Sequence, residues 1–189
     1  DVINKETCWV QGTSSSVGGD PSPYTARGVY QGIKAALCFQ YNNPSVKGRK
    51  VAVQGLGSVG IRLCELLKSA EADLVVCDID PSKTLRVRRD LGAQIVPPDE
   101  IFDQECDIFA PCALGAAIND DSLSRLRCSI VAGAANNVLE EDRHGKLLKE
   151  HNILYVPDYV INAGGVICVG MEAKGFHLEP IIEKVDSIY

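Results

Sequence analysis

Aromatic side chains are scarce in this sequence. They make up 6% of 189 residues, with one Trp, and Met also occurs once and His three times. Cationic residues are not in excess either: 19 Lys and Arg stand against 25 Asp and Glu, a net charge of −6. That balance excludes a protein that works by neutralising a nucleic-acid backbone. It leaves room for a small ligand with two phosphates, because backbone N–H groups can hold one without Lys or Arg. No apolar run approaches the roughly 20 residues of a membrane span, and no signal-peptide pattern opens the chain. None of the eight Cys forms a CxxC pair. His144, His151 and His177 have no metal-like spacing to one another or to a Cys, so no metal site is expected. Several Cys sit inside apolar patterns and read as buried, reduced thiols of a cytoplasmic protein. A disulfide framework or a zinc site is the alternative reading.

What is present is a rhythm. The chain is 46% hydrophobic, enough for one full core. Residues 1–20 are a polar, Gly/Ser-rich approach. SPYTARGVYQGIKAALCFQY then reads as a helix, with Val29, Ile33, Leu37 and Tyr41 on one face and Asn42-Asn43-Pro44 as its stop. From Lys50 onward, short apolar strands alternate with helices: KVAVQ, DLVVCDI, QIV, CDIFAPC, SIVAGAA and ILYVPDY are the strands. Continuous apolar runs, unlike alternating ones, indicate a parallel sheet covered on both faces. The expected fold is α/β, a doubly wound, mostly parallel sheet of the Rossmann type. Domain boundaries are expected at 1–20, an approach from a preceding domain; 21–175, the main domain with its leading helix; and 176–189, the start of a C-terminal helix. The chain opens without Met and stops at Tyr189 inside a helical pattern, so a longer protein is expected.

Gly55-Leu56-Gly57-Ser58-Val59-Gly60 is a GxGxxG that follows a strand and opens a helix. Asp78 and Ile79 end the next strand. In that context the motif is a dinucleotide signature. Gly55 permits the tight turn, Gly57 lets backbone approach a pyrophosphate, and Gly60 lets helix and strand pack closely. The helix N-terminus adds N–H groups and partial positive charge. Asp78 would accept from the adenosine ribose hydroxyls and repel a 2′-phosphate, which favours NAD over NADP. Asp80 adds to that repulsion, and the nearest downstream Arg is Arg86. The competing reading is a turn with no ligand.

Later strands also end in small-residue turns: PCALG at 111–115, GAANN at 133–137 and NAGG at 162–165. In a doubly wound sheet these lie together at the carboxyl edge, where ligands bind. Asn136, Asn137 and Asn162 could instead be helix N-caps or turn residues. The pair Gly164-Gly165 beside Asn162 would let a flat ring lie against bare backbone.

The stretches DPSPYTARGVYQGIKAA, KVAVQGLGSVG, CDIFAPCALGAAIN, VAGAANN, EDRHG and PDYVINAGGVI together resemble the cofactor domain of the Glu/Leu/Phe/Val dehydrogenases, in the leucine dehydrogenase branch. The resemblance implies reversible oxidative deamination of an apolar L-amino acid (the leucine, valine, phenylalanine or tryptophan class) to a 2-oxo acid, with NAD, in a homo-oligomer. Glutamate is disfavoured, because glutamate dehydrogenases carry a different turn in place of AGAANN. By the same resemblance, Thr25 lies near the nicotinamide carboxamide and Asn162 bonds to cofactor or substrate at the reaction centre. Ala113, Ala134 and Asn136 match positions on the nicotinamide-ribose side. The family's catalytic Lys and Asp belong to a preceding domain, and no Gly-Gly-Gly-Lys run occurs here, so no catalytic residue is expected within these 189. A non-catalytic NAD-binding sensor would share GxGxxG and Asp78, but it has no need of Thr25, Ala113 and Asn162 at the nicotinamide end.

Overall fold

The computed structural model describes Val2, Glu6, residues 19–175 and residues 177–189. The approach segment expected over 1–20 lies almost wholly outside the described residues. Six strands run β1 (Lys50–Gln54), β2 (Asp73–Cys77), β3 (Gln94–Ile95), β4 (Ile108–Pro111), β5 (Ile130–Val131) and β6 (Leu154–Tyr155). They form one sheet in the order β3-β2-β1-β4-β5-β6. Every strand pair is parallel. Strand order therefore reverses between β1 and β4, and their carboxyl ends flank the crevice that such a reversal opens.

Alternate strand residues feed two cores, one on each face. Val51, Val53, Val76, Ile108 and Ile130 pack on one side, with residues of helices α1 (Ser22–Tyr41), α2 (Ser58–Ser69) and α3 (Pro81–Leu91). Ala52, Val75, Phe109 and Val131 pack on the other, with Ile101 of a 3₁₀ turn (Pro98–Asp103), Leu123 of α4 (Asp120–Arg125) and Leu148 of α5 (Arg143–Glu150). Both faces are covered, which is why the strands carry no polar alternation.

Helix α1 matches its sequence pattern. Val29, Ile33 and Leu37 are fully buried, and Asn42 ends the helix in the left-handed conformation at φ 52°. Asp80 caps α3 by accepting from Ser82 N at 2.9 Å, with Pro81 in the first turn. Helix α2 begins at Ser58, three residues before the apolar run, so the second half of GxGxxG is already its first turn.

The last third departs from the sequence reading. The sixth strand stops at Tyr155, and PDY is not strand. Pro157 has no N–H for the ladder, and a one-turn helix α6 (Asp158–Ile161) follows it. A further helix, α7 (Gly164–Glu172), begins at the glycine pair itself. Two glycines at its start conceal the helical signal, since glycine is a poor helix former. Helix α8 (Leu178–Asp186) closes the described chain. It packs on α1 through Arg27, whose guanidinium donates to both oxygens of Asp186 at 2.6 and 2.7 Å.

Candidate functional site

The GxGxxG turn assigns each glycine a different task. Gly55 sits at φ 93°, and a Cβ there would meet Ala113 at 2.9 Å. A Cβ on Gly60 would collide with the carbonyl of Gly55, and it would also meet Cβ of Cys112 at 3.4 Å. Gly57 has nothing within 4 Å. Packing therefore accounts for two of the glycines and leaves the third facing open space. Gly57 is also the N-cap of α2, makes no side-chain cap bond, and has no acidic residue in the turn after it. The first N–H groups of that helix have no intrahelical acceptor, so the turn presents donors and partial positive charge to anything above Gly57.

A cavity of about 740 Å³ lies at this edge. Of the residues expected there from sequence, Gly55, Gly57, Asp78, Ile79, Ala113, Ala134 and Asn136 all line it. Asp78 stands at the end of β2, its side chain 8% exposed. One carboxylate oxygen accepts from Leu56 N at 2.6 Å and the other from Asp80 N at 2.8 Å. Each oxygen has capacity left for a second donor. Ile79 and Leu114 stand bare at the lip, 91% and 95% exposed. Burial pushes the Cys77 thiol in the wall up to about 11, which keeps it protonated and inert near neutral pH.

A second cavity, of about 510 Å³, shares Ala134 and Asn136 with the first and adds Thr25, Val59 and Asn162. Asn162 donates to Asn136 Oδ1 at 2.6 Å and to Ala134 O at 3.3 Å. It does not cap α7: the N-cap is Ala163, and no side chain caps that helix. Asn137 is a turn residue at φ 52°, and its carbonyl accepts from Ala116 N at 2.7 Å. Ser58 lines neither cavity but a third, described below. Gly60 lines none of these three.

The glycine pair after Asn162 needs a different account from the sequence reading. A Cβ on Gly164 would collide with the carbonyl of Tyr24, and one on Gly165 would meet Thr25 Oγ1 at 2.5 Å. The close crossing of α7 over the start of α1 thus accounts for both glycines. Only Gly165 also lines the second cavity.

Lys83, Gln54, Val166 and Val169 are among the lining residues that sequence reasoning missed. Lys83 lies in the wall of the first cavity, its ammonium 3.8 Å from Asp78 Oδ1. Gln54, at the end of β1, keeps a buried Oε1 with no hydrogen-bond partner among the described residues. Val166 and Val169 give the second cavity an apolar side; their helix period was the available signal. The seven described cysteines are free thiols. Cys64, Cys77 and Cys168 are buried, whereas Cys38, Cys106, Cys112 and Cys128 are only half-buried. Cys8 lies outside the described residues. No described helix is long and apolar enough to cross a membrane.

Residues 82–178 match the family model described as Glutamate/Leucine/Phenylalanine/Valine dehydrogenase. The chain is 52% identical to a leucine dehydrogenase of Thermoactinomyces intermedius, over all of this chain and 52% of that protein. It is 47% identical to an L-tryptophan dehydrogenase of Nostoc punctiforme, over all of this chain and 53% of that one. The crystal structure of L-tryptophan dehydrogenase from Nostoc punctiforme superposes with a TM-score of 0.88 at 48% identity, covering 90% of this chain and 52% of the other. The chain spans about half the length of the curated relatives it matches.

Proposed function

This chain belongs to the glutamate/leucine/phenylalanine/valine dehydrogenase family, and we propose that it is the NAD-binding part of an amino acid dehydrogenase. The reaction would be reversible oxidative deamination of an apolar L-amino acid to a 2-oxo acid. Residues 21–175 would form the dinucleotide domain, and the acid–base groups would come from outside these 189 residues. One observation carries the reading. The switch-point cavity has an open glycine over a helix N-terminus on one side and a carboxylate with spare acceptor capacity on the other. A pyrophosphate needs the first and a ribose needs the second.

NAD, when bound, would accept hydride from the amino acid α-carbon. The chain's own groups would do the placing. Backbone N–H groups at Ser58 and Val59 would hold the pyrophosphate. Asp78 would accept from the ribose, and Ile79 and Leu114 would cover the adenine. Thr25 and Asn162 would orient the nicotinamide end from the second cavity, with Ala113, Ala134 and Asn136 beside it. Hydride transfer needs the two carbons held about 3 to 3.5 Å apart. Thr25 and Asn162 meeting in a second cavity favours an enzyme over a sensor, which needs no groups there. Homo-oligomeric assembly and a cytoplasmic setting, which the family resemblance and the free thiols support, belong to the same proposal.

Calorimetric titration with NADH, beside an assay of NADH formation with leucine, valine, phenylalanine and tryptophan, tests it. The 189-residue chain is expected to bind NADH and to show no turnover. The whole protein is expected to turn over at least one of the four amino acids. Turnover by the chain alone would place acid–base groups within it and overturn the division of labour. Absence of NADH binding would overturn the reading altogether.

A further inference from the structure

A third cavity, of about 520 Å³, lies on the outer side of the GxGxxG turn, with Gly57 and Ser58 at its edge and Arg62 in its wall. The first turn of α2 stands between it and the second cavity. Ser58 lines the third, and the next residue, Val59, lines the second. Arg62 reaches across that turn. One guanidinium nitrogen donates to Ser58 O at 2.7 Å, and the other stands 3.0 Å from Asp20 Oδ2. A planar guanidinium holds two acceptors in a fixed relation to each other.

Asp20 carries the link on to the start of α1. Its other oxygen, Oδ1, accepts from Ser22 N at 3.0 Å and from Ser22 Oγ at 2.6 Å. The carbonyl of Pro21, between them, accepts from Thr25 N at 3.0 Å and from Thr25 Oγ1 at 3.2 Å. Pro21, Ser22 and Thr25 all line the second cavity. A continuous polar path thus runs from Ser58 to Thr25 by way of Arg62 and Asp20. Apolar packing does little to fix this end of α1. No residue from 20 to 25 is buried, and the first buried residue of the helix is Ala26. On one side α7 restrains it, where Gly165 meets Thr25. On the α2 side the Arg62–Asp20 ion pair ties it down.

We infer that Arg62 is a positioning residue. Through Asp20 it sets Thr25, and with it the nicotinamide end of the site, against the turn proposed to hold the pyrophosphate. The inference rests on the dinucleotide reading of the cleft. A dinucleotide is one molecule that must meet both ends together, so the spacing between them enters its affinity. ADP-ribose has the pyrophosphate and both riboses but no nicotinamide, so it is indifferent to Thr25. Cutting the tie therefore weakens NADH and spares ADP-ribose. A partly exposed ion pair adds little to stability, whereas ordering a binding group before the ligand arrives contributes directly to affinity.

Calorimetric titration of the whole protein with NADH and with ADP-ribose tests this, in wild type, Arg62→Met, Asp20→Asn and the double variant. Asn at position 20 keeps an acceptor for Ser22 and loses the charge that pairs with Arg62. Wild type is expected to bind NADH more tightly than ADP-ribose. In each single variant that preference is expected to fall about threefold or more, with ADP-ribose affinity within about twofold of wild type. The double variant is expected to lose no more than the larger single loss, because both changes cut one tie. Melting curves are expected to stay within a few degrees of wild type, since both side chains are partly exposed. A smaller loss of preference, or additive losses, would overturn the tie. ADP-ribose weakened by Arg62→Met but not by Asp20→Asn would assign Arg62 to the phosphates directly and overturn it too. Equal affinity of wild type for the two ligands would leave no nicotinamide contribution for Arg62 to position. All of these outcomes leave the NAD reading of the cleft standing. Failure of NADH to bind at all would overturn that reading and this one with it.

Discussion

Gly60 lies so close to the carbonyl of Gly55 that no Cβ fits between them, whereas Gly57, two residues after Gly55, faces empty space. Alanine at the two sites should therefore fail in different ways. Gly60→Ala forces backbone against backbone and is expected to lower stability by about 3 kcal/mol or more. Gly57→Ala meets no protein atom, so its stability should stay within about 1 kcal/mol of wild type. Its NADH affinity should nevertheless fall about tenfold or more, because the added methyl stands where the pyrophosphate would lie. Urea denaturation and calorimetry of the two variants check this. Unimpaired NADH binding by Gly57→Ala would remove the pyrophosphate from that turn.

Asn162 bridges the second cavity by donating to Asn136 Oδ1 and Ala134 O. Asn162→Asp removes the donor and sets a carboxylate against two oxygens. Asn136 can turn its amide to donate instead, so the melting temperature should barely move. In the whole enzyme the new charge would face the substrate carboxylate in a largely desolvated site. Turnover is expected to fall about 100-fold or more, roughly 3 kcal/mol of transition-state stabilisation. Steady-state kinetics beside a melting curve decide the matter. Unchanged kinetics would reduce Asn162 to a structural tie between two loops.

The Arg27 guanidinium holds the Asp186 carboxyl below its ordinary range, with Gln31 assisting. A carboxyl depressed in the folded state adds stability that is full above its unfolded pKa, about 3.9, and is lost as pH falls through the lower folded value. Asp186→Asn should therefore lower the melting temperature by a few degrees at neutral pH, a modest effect because the pair is partly exposed. That difference should shrink below about pH 4. Melting curves from pH 7 downward provide the check, and a difference independent of pH would show that the charge of Asp186 does not hold α8.

The alternation of apolar runs with helical patterns, and a GxGxxG placed between the first strand and the next helix, were enough to determine the sheet type and the turn at its centre. These are local signals. Val51-Ala52-Val53 is apolar throughout because both faces are covered, and Gly55, Gly57 and Gly60 fall within a single turn. What the tertiary structure decided depends on atoms far apart in the chain. Gly164 is bare because Tyr24, 140 positions earlier, brings its carbonyl against it, and nothing near PDYVINAGGVI announces that. Asn162 reads alone as a possible cap, and only the fold sets Asn136 at its amide. Asp78 was legible as a candidate ribose acceptor because it follows a strand directly. Its shielding was not, because the Leu56 N–H comes from the preceding strand–helix turn and Lys83 reaches back to it from the first turn of α3. Periodicity and turn chemistry are written within a few residues, whereas the charge and space around a site are set by whichever segments the core brings beside it.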